Sequence, residues 1–192
     1  MLAQLPKRGK VARKQSLDLP ARIKVQAIPE DKTLSQMLKD GEIDALHTAR
    51  APSTFDNKHV LRLFPDFRKV ELDYWRATRL FPTMHTIAIR REVYEANRWI
   101  AQSLFKAFVA AQRLTYRDLG ITAALMAMLP WLPAHVEEAR ALMGDDYWPY
   151  GFAPNRHVLD TFLRYHHAQG LSKKRFKPEE LFAPETAEAF KV

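Results

Sequence analysis

Six residues carry the chemistry that this sequence could perform. His85 stands between Pro82 and an alternating segment, HTIAIRR (85–91). Histidine titrates near neutral pH, so it is the default side chain for delivering a proton. A histidine at the entrance of a strand either fills space in the core or faces a cleft. Arg50 opens a loop directly after another alternating segment, EIDALHTA (42–49). In open α/β sheets such loops gather ligand-binding residues, and the guanidinium fork matches a carboxylate. Ser53 and Thr86 can donate hydrogen bonds to a carboxylate, or simply serve a turn and a strand. Trp148 and Tyr150, in DDYWPYG (145–151), can stack on an aromatic ring or pack the C-terminal part over the core.

Other candidates are weaker. His166 and His167 are adjacent on a helix, about 100° apart, so they do not form the i, i+4 pair that a metal requires. His135 and Glu138 have i, i+3 spacing but no third ligand in view. The chain has no cysteine, which excludes disulfides and thiolate metal sites. It has no Gly-rich phosphate loop and no nucleophile elbow. No metal and no cofactor is expected.

The elements that must position these residues follow from periodicity. Three strands are expected, at 23–28 (IKVQAI), 42–49 and 85–91, because apolar and polar residues alternate there. A short helix is expected at 33–41, capped by Thr33 and ended by Gly41. Together 23–49 read as a small βαβ unit with a parallel strand pair. A helix is expected at about 66–77 after Pro65, and a long one over 92–119, with a break that Asn97 caps. Its stripe of Ile100, Leu104, Ala107, Phe108, Ala111 and Leu114 is expected to be core. ITAALMAMLPWL (121–132) reads as a buried helix split by Pro130. Helices are expected at 135–144 and at 156–170, the latter capped by Asn155, and a short piece at 178–190. Three or four strands make a small sheet with exposed edges, so the chain reads as part of a larger α/β protein.

Composition bounds the class. The 192 residues are 47% apolar and 27% charged, as in an ordinary globular protein. The net charge is +8, but residues 1–24 hold Lys7, Arg8, Lys10, Arg13, Lys14, Arg22 and Lys24 against Asp18 alone. Little positive charge is left for the body, and no nucleic-acid module is recognisable, so a nucleic-acid partner is not expected. Residues 1–20 read as a basic, poorly ordered lead-in. They lack the apolar run of a secretory signal, and no stretch reaches membrane-spanning length, so a cytoplasmic location without a membrane partner is expected.

Several stretches together resemble one family. GEIDAL (41–46), RAPSTF (50–55), LFPDF (63–67), FPTMHT (81–86), LPAHVEEARALMGDDYWPYGFAPN (132–155), LRYHHAQGLS (163–172) and PEELFAPET (178–186) look like the 4,5-dihydroxyphthalate decarboxylases. These are grouped with solute-binding proteins of the type II periplasmic-binding fold. GDDYWPYG and YHHAQGL are the more specific stretches; GEIDAL supports fold more than reaction. The resemblance covers about residues 23–186. It implies an incomplete α/β, type II periplasmic-binding-protein-like fold. In that frame 21–80 form part of lobe two, and 81–192 return to lobe one with a helical C-terminal extension. The resemblance lies with the C-terminal part of such proteins, so a fragment of the full enzyme is expected.

The resemblance implies decarboxylation of 4,5-dihydroxyphthalate or a related aromatic carboxylate to a protocatechuate-type product. His85 would be the catalytic acid. Arg50, Ser53, Thr86, Trp148 and Tyr150 would bind substrate, and a homo-oligomer is compatible with it. The alternative is a solute-binding protein of the ABC-transporter type that holds a small anionic ligand without chemistry.

Overall fold

The computed structural model describes residues 23–82 and 85–187. The lead-in expected at 1–20 lies outside these residues. The described residues divide into two compact units, those of 1–79 with 169–171, and those of 80–168 with 172–192.

The first unit holds two helices. Helix α1 (Leu34–Lys39) starts where Thr33 Oγ1 accepts the Gln36 N–H at 3.2 Å. It stops at Gly41, whose φ of 73° suits a residue without a β-carbon. The apolar spacing and cap had predicted this element. Ser35 on α1 reaches the RAPST loop: its hydroxyl lies 2.9 Å from Thr54 Oγ1 and 3.2 Å from Ser53 Oγ. The Thr54 hydroxyl also donates to the Ser35 carbonyl at 2.9 Å. Helix α2 (Phe67–Thr78) is capped by Asp66, which accepts the Lys69 N–H at 3.2 Å. Between the two helices, Asp56 Oδ1 gathers the N–H groups of Lys58, His59 and Val60 at 2.9, 2.9 and 3.2 Å. Val60 is the buried apolar residue of this unit among the described residues.

The second unit is built on helix α4 (Trp99–Leu119), preceded by the short α3 (Arg91–Ala96). The expected break is at Asn97, which ends α3 with its N–H on the Tyr94 carbonyl at 3.1 Å. Helix α5 (Leu132–Met143) buries Leu132 and Val136, and helix α6 (Phe152–Ala168) buries Phe152, Leu159 and Leu163. A 3-10 turn at Pro178–Glu180 lies on α6 through an Arg156–Glu179 ion pair of 2.7 Å and the Phe152–Phe182 ring contact. A second turn at Pro184–Thr186 lies on α3 and α4. There the Tyr94 hydroxyl donates to Glu185 Oε2 at 2.6 Å, and Arg98 stands 3.6 Å from the same carboxylate.

Several expectations are corrected. The described residues contain no strand, so 23–28, 42–49 and 85–90 are irregular segments, Arg91 already belongs to α3, and the βαβ unit is absent from them. Alternation marks which residues could face a core, but a strand also needs a neighbour for its N–H and C=O groups. Val25, in the first segment, is 74% exposed. The run 121–132 is not a buried helix: 121–131 are non-helical, and Leu125, Met126, Met128, Leu129 and Trp131 are exposed. A helix this short is marginal without packing to support it.

The stripe on α4 is also misplaced. Leu104, Phe108 and Leu114 are exposed, whereas Ala101 is buried and Phe105, Gln112 and Tyr116 are half-buried. The packed face is therefore rotated toward 101, 105, 112 and 116. Asn155 does not cap α6, which begins earlier, at Phe152. Its amide instead donates to the carbonyls of Pro149 and Gly151 at 2.8 and 2.9 Å.

Candidate functional site

The most fully specified site in the second unit surrounds Trp148. The segment GDDYWPYG turns between α5 and α6 and exposes an irregular backbone whose polar groups need partners. Helix α4 supplies them. Gln112 and Tyr116 are one turn apart and so share a face. The Trp148 N–H donates to Tyr116 Oη at 2.9 Å, and the Trp148 carbonyl accepts from the Gln112 side-chain amide. Both backbone groups of Trp148 are thus tied to one helix face. Tyr116 Oη donates in turn to Asp146 Oδ1 at 3.1 Å and receives the Gln112 amide at 3.3 Å.

The Tyr116 hydroxyl is pushed up to about 12, first by burial and further by the Asp146 carboxylate; the N–H of Trp148 opposes this. The hydroxyl is therefore a neutral donor throughout the physiological range. Tyr147 packs on it with ring centroids 4.6 Å apart and planes tilted by 33°. The Tyr147 hydroxyl is buried without a hydrogen-bond partner among the described residues.

The indole of Trp148 is the outward product of this brace. It is 44% exposed, and Phe81 meets it edge-on at 5.1 Å and 68°. Edge-to-face geometry sets the positive rim of one ring against the negative face of the other. This contact joins two stretches that are 67 positions apart in sequence: FPTMHT, which contains His85, and GDDYWPYG, which contains Trp148 and Tyr150. Tyr150 is also exposed. His85 and Thr86 are exposed in the irregular segment that follows Phe81 and Pro82.

Arg50 and Ser53 belong to the first unit. Arg50 is exposed at the head of the loop, and its backbone N–H donates to Thr48 Oγ1 at 3.3 Å. Ser53 sits beside Ser35 and Thr54 in a cluster of three hydroxyls. The side chain of Asp56 lies six residues after Arg50 and contacts His59 Nδ1 at 2.8 Å. Hydrogen bonds from the His59 ring, then from three backbone N–H groups, hold the Asp56 carboxyl well below the usual range.

Gln112, Tyr116, Ser35 and Thr54 were not singled out in the sequence. The Gln112–Tyr116 pair did leave a signal: two polar-tipped residues at i, i+4, in register with Ala101 and Phe105. Among the described residues no group of three or more His, Asp or Glu side chains could hold a metal ion. No helix among them is long and apolar enough to cross a membrane.

Comparison with known proteins places these stretches in context. The chain is 42% identical over 181 residues to a 4,5-dihydroxyphthalate decarboxylase of Comamonas testosteroni, covering 93% of this chain and 55% of that protein. It is 44% identical over 63 residues to a 4,5-dihydroxyphthalate decarboxylase of Pseudomonas putida, covering 32% of this chain and 24% of that protein. The chain therefore spans about half the length of the first of these relatives. No protein-family model matches it.

Proposed function

We propose that this chain carries part of a carboxy-lyase that removes carbon dioxide from 4,5-dihydroxyphthalate or a closely related aromatic carboxylate. The observation that carries the reading is the 42% identity, over 93% of the chain, to a protein named for that reaction. The type II periplasmic-binding-like architecture belongs to the same proposal.

The chemistry asks for three things. A dianionic substrate needs a cation and hydrogen-bond donors, which Arg50, Ser53 and Thr86 supply by type. An aromatic ring needs a flat apolar partner, for which the exposed indole of Trp148 and the phenol of Tyr150 are suited. The ring carbon that bears the departing carboxylate first takes a proton, and the ring hydroxyl para to it shares the positive charge that develops in the ring. The bond to the carboxylate then breaks, its electron pair restores the aromatic ring, and carbon dioxide leaves. His85, exposed beside the segment that contacts Trp148, is the proposed proton donor. The product is protocatechuate, and no electron is gained or lost overall.

The test is carbon dioxide release and protocatechuate formation by this chain and, in parallel, by the Comamonas relative. The expected result is turnover that falls about 100-fold or more in His85→Ala, the scale of a lost general acid. Retention of the full rate in His85→Ala removes His85 from the chemistry. A chain that binds 4,5-dihydroxyphthalate yet releases no carbon dioxide is a binder, and the lyase reading fails for it.

A further inference from the structure

We infer that Tyr116, with Gln112, is a positioning residue that fixes the indole of Trp148 as the aromatic wall of the ligand site. The inference deepens the proposed function and rests on its reading of Trp148 as a substrate contact. Three observations carry it. First, Tyr116 and Gln112 hold the N–H and the C=O of the same residue, so the peptide units on both sides of Trp148 are anchored. Second, the anchors share one face of a 21-residue helix, the longest rigid element of its unit among the described residues. Third, the side chain so anchored is not buried for its own sake: it stays 44% exposed, with Phe81 against it.

Ordinary core packing explains none of this combination. A tryptophan needed only for stability would sink its ring further into the core. Here the backbone is bound and the ring is presented. A ring fixed before the ligand arrives does not have to be ordered on binding, which raises affinity. Asp146 completes the arrangement by accepting from Tyr116 Oη, which directs the oxygen's lone pairs toward the Trp148 N–H and the Gln112 amide. Tyr116 acts through Trp148 and touches no substrate atom itself.

The experiment uses the whole chain with Trp75, Trp99 and Trp131 changed to Phe, which leaves Trp148 as the single tryptophan. Fluorescence anisotropy and acrylamide quenching report its mobility, and 4,5-dihydroxyphthalate is the probe ligand. Tyr116→Phe keeps the ring against Tyr147 and removes only the hydroxyl. Gln112→Leu removes the other anchor independently, in case one variant folds poorly by far-UV circular dichroism. In each variant we expect quenching of Trp148 to rise about twofold and the Kd for the probe to rise about tenfold, the scale of one or two lost hydrogen bonds. For turnover, KM should rise with kcat changed much less.

Unchanged anisotropy and quenching in both variants overturn the inference. Increased mobility with an unchanged Kd overturns it too, since the wall would then not matter to the ligand. If the parent protein fails to bind the probe at all, the proposed substrate is wrong, and the anisotropy result alone decides whether Tyr116 and Gln112 hold Trp148.

Discussion

Gly151 lies against the Cζ end of the Phe105 ring. A β-carbon at position 151 would lie 2.5 Å from Phe105 Cζ, and the glycine has φ of 95°. Both constraints exclude a side chain, the first by contact and the second by backbone strain. The closeness lets the segment that carries Trp148 and Tyr150 end against α4 just where α6 begins.

Gly151→Ala should therefore destabilise the protein by about 2–4 kcal/mol, combining a strained backbone with overpacking. Urea unfolding is the measurement. Phe105→Leu, made in the same background, should recover part of the loss by clearing the contact while leaving the strain. A cost below about 1 kcal/mol for Gly151→Ala would mean that the ring moves aside freely.

Tyr116 gives a pH dependence with a defined sign. Its hydroxyl is raised to about 12 in the folded protein, against about 10 for an unperturbed tyrosine. The unfolded chain loses this proton first, so the stabilisation is complete below about pH 10 and is lost as the pH rises toward 12. Urea midpoints of the wild type and Tyr116→Phe, compared at several pH values, isolate the effect from other titrating groups. The advantage of the wild type should shrink over that window. A constant difference would show that the hydroxyl titrates normally.

Glu185 behaves in the opposite sense. The hydrogen bond from Tyr94 leads the effects that hold its carboxyl below the ordinary value, with Arg98 adding to it. The contribution is present above the unfolded carboxylate value of about 4.3 and fades as the pH falls through the folded one. Acidification should thus release the turn at Pro184–Thr186 from α3 and α4 before the helices melt. Amide protection at Thr186 and Ala187, whose N–H groups bond to the carbonyls of Ala183 and Pro184, should be lost first, measured relative to the intrinsic exchange rate at each pH. Glu185→Ala should show the lost protection at neutral pH already.

What the sequence made legible was local. Thr33 and Gly41 bound α1 because a cap and a terminator act within one helical turn. Asn97 and Gly144 mark helix ends for similar reasons. The segments 23–28, 42–49 and 85–91 had the alternation of strands, yet pairing is a property of two segments, and one segment cannot announce its neighbour. The run 121–132 was hydrophobic enough to suggest a buried helix, but burial depends on what lies opposite. Tyr116 escaped notice because its role is set by where the backbone of Trp148 arrives, 32 positions later.

Trp148 itself separates stability from recognition. Truncation in Trp148→Ala removes the edge-to-face contact with Phe81, which is worth about 0.5–1.5 kcal/mol, together with the apolar area that the ring covers. Trp148→Phe keeps an aromatic face but a smaller one. If the ring serves only packing, the two variants should rank by stability and share one affinity for 4,5-dihydroxyphthalate. If it forms a wall of the site, affinity should also fall from Trp through Phe to Ala, because stacking scales with the face presented. Calorimetric titration of both variants under conditions where each is fully folded distinguishes these cases. We expect the graded loss, since an indole held by two backbone hydrogen bonds and left 44% exposed is arranged to meet something from solvent.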